Sequence, residues 1–326
     1  MERLRVAVIG AGWIAADHVA ELVSRDDVDV VGVCDLDRER AAALAPRGAN
    51  VYEHWEEVLE RERPHALWIC TPPLAHREPA VGALERGVHV YLEKPIARTT
   101  EDAALIVAAA EASEAVCAVG YQWHATEVLD DLREALAGQE PALLVGRSIG
   151  PTGTRPWFLD RAQGGGNVLE RGSHQIDLVR TVAGEVERVQ AAASSVLLGQ
   201  AEGERGDIDD AATLVLLLAG GGVAAVVVAW TRQGQPGIYT LDVVASDATL
   251  ALTLDPDFAL RGTSTGRAVE ARSSVHPFRR SIARFLEAVR ERDPARVFCT
   301  PADAARTLAV ARACERALAT GTTVSV

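Results

Sequence analysis

The sequence predicts an α/β protein: a doubly wound parallel sheet, then a second α/β domain with a largely antiparallel, open sheet. Three observations carry this prediction. Apolar runs alternate with helical patterns up to about residue 120, the rhythm of a parallel sheet covered on both faces. From residue 121 onward, strand-like runs succeed one another with few helices between them. And the first apolar run leads directly into a glycine turn. With 326 residues, 48% of them hydrophobic, the chain can build two cores, placed here at residues 1–120 and 121–326.

Taken in order, strands are expected at 4–9, 28–34, 50–52, 65–70, 88–92 and 115–119, with helices such as 37–45, 78–85 and 101–112 between them. The second domain opens with a helix over 126–136 and a strand near 142–149. A glycine-rich loop and a helix over 168–182 come next. Strands are then expected near 186–197, 209–218, 223–231, 239–245 and 248–254, and two helices (278–292 and 301–319) close the chain. The segment from Leu214 to Trp230 is uncharged and nearly long enough to suggest a membrane helix. Gly220-Gly221-Gly222 divides it into two strand-length halves rich in Val and Leu, so a buried hairpin is expected instead. Both halves read as apolar on both faces, which predicts a covered sheet and a homo-oligomer, a dimer or tetramer.

The first turn carries chemistry. Val6-Ala7-Val8-Ile9 leads into Gly10-Ala11-Gly12-Trp13-Ile14-Ala15, and the second apolar run ends in Asp35. Gly10 allows the tight turn, Gly12 lets backbone approach a pyrophosphate, and Ala15 lets the helix approach the sheet. Asp35 stands where an acid can accept hydrogen bonds from ribose hydroxyls. This is a dinucleotide-binding pattern. The acid favours NAD over NADP, although Arg38 and Arg40 close by soften that preference.

A net charge of −13 disfavours nucleic acid and anionic membrane as partners. The five cysteines are odd in number and widely spaced, as expected for small core residues in a reducing compartment, and no apolar leader precedes the first strand; a cytoplasmic protein is expected. No metal is expected.

Ligands of doubly wound sheets bind at the carboxyl ends of the strands. Three stretches belong there: Cys70-Thr71-Pro72-Pro73-Leu74-Ala75-His76, Glu93-Lys94-Pro95, and Gly120-Tyr121-Gln122-Trp123-His124. In the second domain Gly164-Gly165-Gly166 leads to Glu170-Arg171-Gly172-Ser173-His174-Gln175-Ile176-Asp177. On a regular helix Glu170, His174 and Asp177 share one face.

With these motifs the chain resembles the glucose–fructose oxidoreductase/inositol dehydrogenase/rhizopine catabolism (Gfo/Idh/MocA) family over essentially its whole length, the closing Gly321-Thr322-Thr323-Val324 included. The resemblance implies a Rossmann domain, a second α/β domain whose open sheet forms the oligomer interface, and NAD-dependent oxidation or reduction of a sugar, inositol or related polyol. It implies a cofactor site formed by Gly10, Gly12, Trp13, Ile14, Asp35, Arg38, Thr71, Pro72, His76, Glu93, Lys94 and Gln122. Lys94, His174 and Glu170 match the catalytic positions. Substrate contacts are expected from Lys94, His124, Arg155, Trp157, Glu170 and His174.

Two positions depart from the family's common pattern. Glu170 stands where Asp is usual, and it has two readings: a group of the site, or a capping partner for Asn167 at the helix start. His124 stands where many relatives carry Arg, so phosphorylated or carboxylated substrates are less expected. Trp157 can cover a sugar ring or simply fill space, and Asp177 reads as structural. In the expected chemistry His174 accepts the hydroxyl proton and Lys94 stabilises the alkoxide. A glycosidase working through transient oxidation by NAD is the alternative, and a non-catalytic sugar or cofactor sensor a third reading.

Overall fold

A computed structural model describes residues 3–153, 156–196 and 208–326. The chain forms two units, Met1–Gly120 with Ser281–Ala305, and Tyr121–Arg280 with Arg306–Val326.

The first unit follows the alternating pattern: β1 (Leu4–Ile9), α1 (Trp13–Val23), β2 (Val28–Cys34), α2 (Arg38–Leu44), β3 (Asn50–Tyr52), α3 (Trp55–Glu62), β4 (Ala66–Ile69), α4 (Arg77–Leu84), β5 (His89–Leu92), α5 (Thr100–Ala112) and β6 (Cys117–Val119). All six strands are parallel, in the order β3-β2-β1-β4-β5-β6. Apolar runs without alternation put every residue of β4 in the core, because helices cover both faces. Trp68 stacks on Tyr91 (ring centroids 5.3 Å apart), and Phe285 meets both edge-on. Local signals set the helix starts: Asp37 accepts N–H bonds at the start of α2, and Thr99 does so for α5.

The second unit holds α6 (Val128–Ala135), β7 (Leu143–Pro151), a short α7 (Arg161–Gly164) and α8 (Ser173–Ala183). The strands β8 (Val186–Ser194), β9 (Ala211–Leu218), β10 (Val223–Thr231), β11 (Ile238–Val244), β12 (Ala248–Asp255), β13 (Ala259–Ser264) and β14 (Arg267–Arg272) follow. Next come α9 (Pro277–Glu291), which from Ser281 onward belongs to the first unit, then α10 (Pro301–Thr320) and β15 (Val324–Ser325). Nine strands form one sheet, β14-β13-β12-β11-β7-β10-β9-β8-β15. Only β7 and β10 pair in parallel; every other neighbouring pair is antiparallel. The expected hairpin is present, with Leu217 opposite Val223 and Gly221 at φ +86° in the turn.

Burial along β9 and β10 alternates: Leu214, Leu216, Val226 and Val228 are buried, whereas Val215, Leu217, Ala225 and Val227 are only half-buried. One face of the sheet is therefore covered within the chain, with α8 against β7 and β10, and the other is open and partly apolar. β13 and β14 were not expected. β13 buries Ala259, Leu260 and Ser264, β14 has no buried residue, and the two are joined through Thr265 (φ +49°) and Gly266 (φ +73°), the positive φ values a two-residue hairpin turn requires.

Candidate active site

The N-terminal unit brings its glycine turn and the loops after β4 and β5 to the carboxyl ends of neighbouring strands. Gly10 has φ +93°, and a Cβ there would lie 2.7 Å from the Cys70 carbonyl carbon and 2.9 Å from the Thr71 nitrogen. Only glycine meets both conditions. Gly12 differs: its φ is −82°, and nothing lies within 4 Å of where its Cβ would stand. Helix α1 starts from Gly12 with neither a side-chain cap nor an acidic residue in its first turn. Open space before uncapped N–H groups fits a pyrophosphate. Trp13 is 59% exposed at this entrance, Ile14 is half-buried, and Ala15 is fully buried against the sheet.

Asp35 is tied to that turn. Its Oδ2 accepts the Ala11 N–H at 2.7 Å, and its Oδ1 accepts the Asp37 N–H and Arg40 Nη2, both at 2.9 Å. Arg38 is exposed at the start of α2. Thr71 and Pro72 are half-buried after β4. His76, expected at the cofactor, has a wholly buried ring, with Nε2 2.8 Å from the Thr71 carbonyl and Nδ1 3.1 Å from that of Pro95 and 3.2 Å from that of Ile96. His76 binds the loop after β4 to the loop after β5.

The latter loop holds Glu93 and Lys94. Glu93 is buried, with Oε1 2.8 Å from His18 Nε2 and Oε2 accepting the Lys94 N–H at 3.0 Å. Burial pulls its carboxyl upward, but the His18 bond and the charges of His18 and Lys94 outweigh this and hold it below the usual carboxylate range. Lys94 is half-buried. The clearance is narrow: a Cβ on Gly120 would stand 3.0 Å from Glu93 Oε1. Sequence reasoning passed over His18. Its signal was a lone polar residue on the buried face of α1, among Ala15, Val19 and Leu22.

In the second unit the helix carrying His174 opens on a π-helical turn, Val168–Gly172, before α8 begins. Hydrogen bonding in such a turn runs i to i+5, so the spacing from Glu170 to His174 does not align them as a regular helix would. The capping reading of Glu170 is not realised. Asn167 is itself helical, makes no cap bond, and donates Nδ2 to the Asp210 carbonyl at 2.9 Å. His174 is half-buried between aromatic rings, tilted against Trp123 (5.0 Å) and edge-on to Tyr121 (5.9 Å).

Asp177 and His124 lie deeper. Asp177 Oδ1 accepts the Thr307 hydroxyl at 3.0 Å, and Oδ2 lies 2.8 Å from His124 Nε2, which is also 2.5 Å from Thr181 Oγ1. His124, expected at the substrate, is 8% exposed, and its Nε2 faces Asp177 and Thr181. Gln122 is half-buried on the turn Gln122–Ala125. Trp157 is half-buried and stacks on Phe158 at 3.9 Å. Arg155 lies outside the described residues.

Gln175, Arg171 and Tyr239 were also missed. Gln175 is wholly buried and donates Nε2 to the Arg147 carbonyl at 2.9 Å, which pins the start of α8 to β7. Gly146 makes room, since a Cβ there would lie 2.5 Å from Gln175 Oε1. Arg171 donates to Tyr239 Oη at 2.9 Å and to the Pro151 carbonyl at 2.7 Å.

A parallel sheet in this order, with its glycine turn at the point where the order reverses and an acid after β2, defines a dinucleotide-binding protein. Comparison with known proteins narrows the class. Residues 4–121 match the GFO/IDH/MocA oxidoreductase family with its NAD-binding Rossmann fold, and residues 143–251 match the GFO/IDH/MocA C-terminal domain. The chain belongs to this family.

It is 34% identical to D-glucoside 3-dehydrogenase of Escherichia coli (strain K12) over 192 residues, 56% of this chain and 54% of that protein. To myo-inositol 2-dehydrogenase of Thermotoga maritima it is 24% identical over 218 residues, 65% and 64% of the two. The chain thus spans about half to two-thirds of the length of these curated relatives. The crystal structure of GenD2 from gentamicin A biosynthesis, in complex with NAD, superposes with a TM-score of 0.84 at 24% identity, covering 100% of this chain and 97% of that one. It shares the fold. Among the described residues no helix is long and apolar enough to cross a membrane.

Proposed function

We propose that this chain is an NAD-dependent oxidoreductase acting on a secondary alcohol, or the matching ketone, of a sugar, inositol or related polyol. The observation that carries the reading is the open space before Gly12 at an uncapped helix start, with Asp35 fixed beside it. The backbone N–H groups from Gly12 to Ile14 would hold the pyrophosphate, Asp35 the adenosine ribose, and the loop of Thr71 and Pro72 the next stretch of cofactor. Bound there, NAD would supply the hydride acceptor.

The chain's own residues do the rest. His174 takes the proton of the substrate hydroxyl, since imidazole ordinarily titrates near neutrality. The Lys94 ammonium stabilises the negative charge that grows on that oxygen, which is its largest service because the charge exists only on the way to product. Reduction of a ketone uses the same groups in reverse. Glu93, held by His18, fixes the backbone of Lys94. Glu170 serves the histidine or a substrate hydroxyl. The activities for which the relatives are named, glucoside and inositol dehydrogenation, support net oxidation over a glycosidase.

Two further parts belong to this reading. NAD is preferred to NADP, because the Asp35 carboxylate repels a 2′-phosphate; Arg40 already spends its charge on Asp35 and Asp37. The protein is a cytoplasmic homodimer or homotetramer joined through the open face of the nine-stranded sheet. Val145, Val215, Leu217, Val223 and Val227 supply apolar surface there, and the five cysteines are buried free thiols. A screen of sugars, inositols and sugar acids for NADH absorbance tests the central reading. Release of a sugar without net NADH would replace it with the glycosidase.

A further inference from the structure

The sequence holds 46 acidic and 33 basic residues, so a cation within the fold without a carboxylate beside it is notable. Arg171 is such a cation. It is half-buried in the π-helical turn three residues before His174. Its partners are neutral: Tyr239 Oη on Nη1, the Pro151 carbonyl on Nη2, and the Tyr239 ring, whose centroid is 5.7 Å from the guanidinium carbon. Among the described residues no carboxylate oxygen lies within 4.0 Å of it. Its Nε is buried and has no hydrogen-bond partner. Of five N–H donors two are used, which leaves Nε–H and one N–H on each terminal nitrogen. A buried donor left unmet is costly, and a guanidinium among neutral groups is a ready receptor for an oxyanion.

Its surroundings are built to keep it there. A Cβ on Gly150 would stand 2.2 Å from Tyr239 Oη and 3.0 Å from Arg171 Nη1, so the pair needs the missing side chain. Tyr239 lies 6.3 Å from Trp123, and Trp123 lies 5.0 Å from His174, ring centroid to ring centroid. Contacts therefore run unbroken from Arg171 through two aromatic rings to the histidine. Aromatic faces suit the apolar side of a sugar ring. We infer that Arg171 binds an oxyanion on the substrate, and that the substrate is an acidic sugar, carrying a carboxylate or a phosphate ester, rather than a neutral polyol. This rests on the dehydrogenase reading above and reverses the expectation drawn from His124.

The test compares three probes, methyl glucoside, methyl glucuronide and glucose 6-phosphate, with the wild type, Arg171→Met, Arg171→Lys and Tyr239→Phe. NADH formation gives kcat and KM, calorimetry gives binding without turnover, and melting curves report the fold. The wild type should prefer one of the anions to the glucoside by roughly 10- to 100-fold in kcat/KM, the worth of a charge-assisted pair of hydrogen bonds. Which anion wins tells carboxylate from phosphate. Arg171→Met should erase the preference through KM, and Arg171→Lys should keep part of it. A wild type that favours the neutral glucoside, or an Arg171→Met variant that keeps the anion preference, overturns the inference. So does the absence of both binding and turnover with either anion. Should Arg171→Met fail to fold, the wild-type ratio and Arg171→Lys decide. Anion binding that depends on Arg171 without NADH formation would instead leave this inference standing and refute the dehydrogenase.

Discussion

Two glycines two residues apart separate the demands of folding from those of cofactor binding. Alanine at Gly10 forces a side chain onto φ +93°, which costs about 1–2 kcal/mol. It also drives a methyl against the Cys70 carbonyl carbon at 2.7 Å and the Thr71 nitrogen at 2.9 Å, backbone atoms that cannot rotate away. Overpacking of this kind adds about 1–3 kcal/mol, for a sum of about 2–5 kcal/mol. In a protein of this size that lowers the melting temperature by about 10 °C. Alanine at Gly12 meets nothing within 4 Å and keeps an ordinary φ. Its effect on stability stays within about 0.5–1 kcal/mol, because the weaker helix start is offset by a less flexible unfolded chain. The methyl instead occupies the space proposed for the pyrophosphate, so NAD affinity should fall by at least ~10-fold, or about 1.4 kcal/mol. Melting curves and calorimetric titration with NAD on both variants decide the matter. If Gly12→Ala binds NAD like the wild type, or melts as low as Gly10→Ala, the reasoning fails.

Lys94→Ala should retain NAD binding and lose turnover by orders of magnitude, while His174→Ala should lose about 100- to 10,000-fold, and less at high pH; full activity in Lys94→Ala refutes the assignment. Glu170→Asp should shift the pH–rate profile without moving the melting temperature, and a lower melting temperature with unchanged kcat would make Glu170 structural. His89 Nδ1 accepts the Val116 N–H at 2.8 Å, and burial, aided by the charges of Arg292 and His65, lowers its pKa from 6.5 to about 4. The unfolded chain takes up that proton first, so this contribution is whole above pH 6.5 and drains away as pH falls toward 4. Allowing for partial exposure it amounts to about 1–2 kcal/mol, so the urea midpoint should fall less between pH 7 and pH 5 in His89→Asn than in the wild type; an equal fall counts against it. Calorimetry should show NAD bound more tightly than NADP, with the gap narrowed in Asp35→Ser, and tighter NADP binding by the wild type refutes the preference. Val215→Glu with Val227→Glu should reduce the particle mass seen by light scattering, and a wild type that is monomeric at micromolar concentration ends the case for assembly.

Much of the first sheet was legible because its strands are short apolar runs buried on both faces, as Ala66–Ile69 shows. The pair β13 and β14 was not. Arg261, Arg267, Glu270 and Arg272 break the apolar pattern, and Arg261 gains its partner, Glu270, only across the hairpin. The glycine turn and Asp35 were legible because their spacing along the chain is itself the pattern. His18 with Glu93, 75 residues apart, and Arg171 with Tyr239, 68 apart, were not, because topology alone brings them together. The capping reading of Glu170 fails for a local reason: the π-helical turn keeps Asn167 inside the helix and turns its amide toward Asp210.

His76 gives the two loops it joins a common fate. Its ring reaches the carbonyls of Thr71, Pro95 and Ile96 from a position with no exposure to water. A segment grafted after β4 from a relative without this histidine would remove the one N–H that the neutral imidazole offers these acceptors, leaving a carbonyl oxygen unmet at about 1–3 kcal/mol. The stretch carrying Lys94 would lose its brace although no residue of its own had changed. Drift in this lineage is therefore expected to treat residues 71–76 and 93–96 as one heritable block, and chimeras should exchange them together.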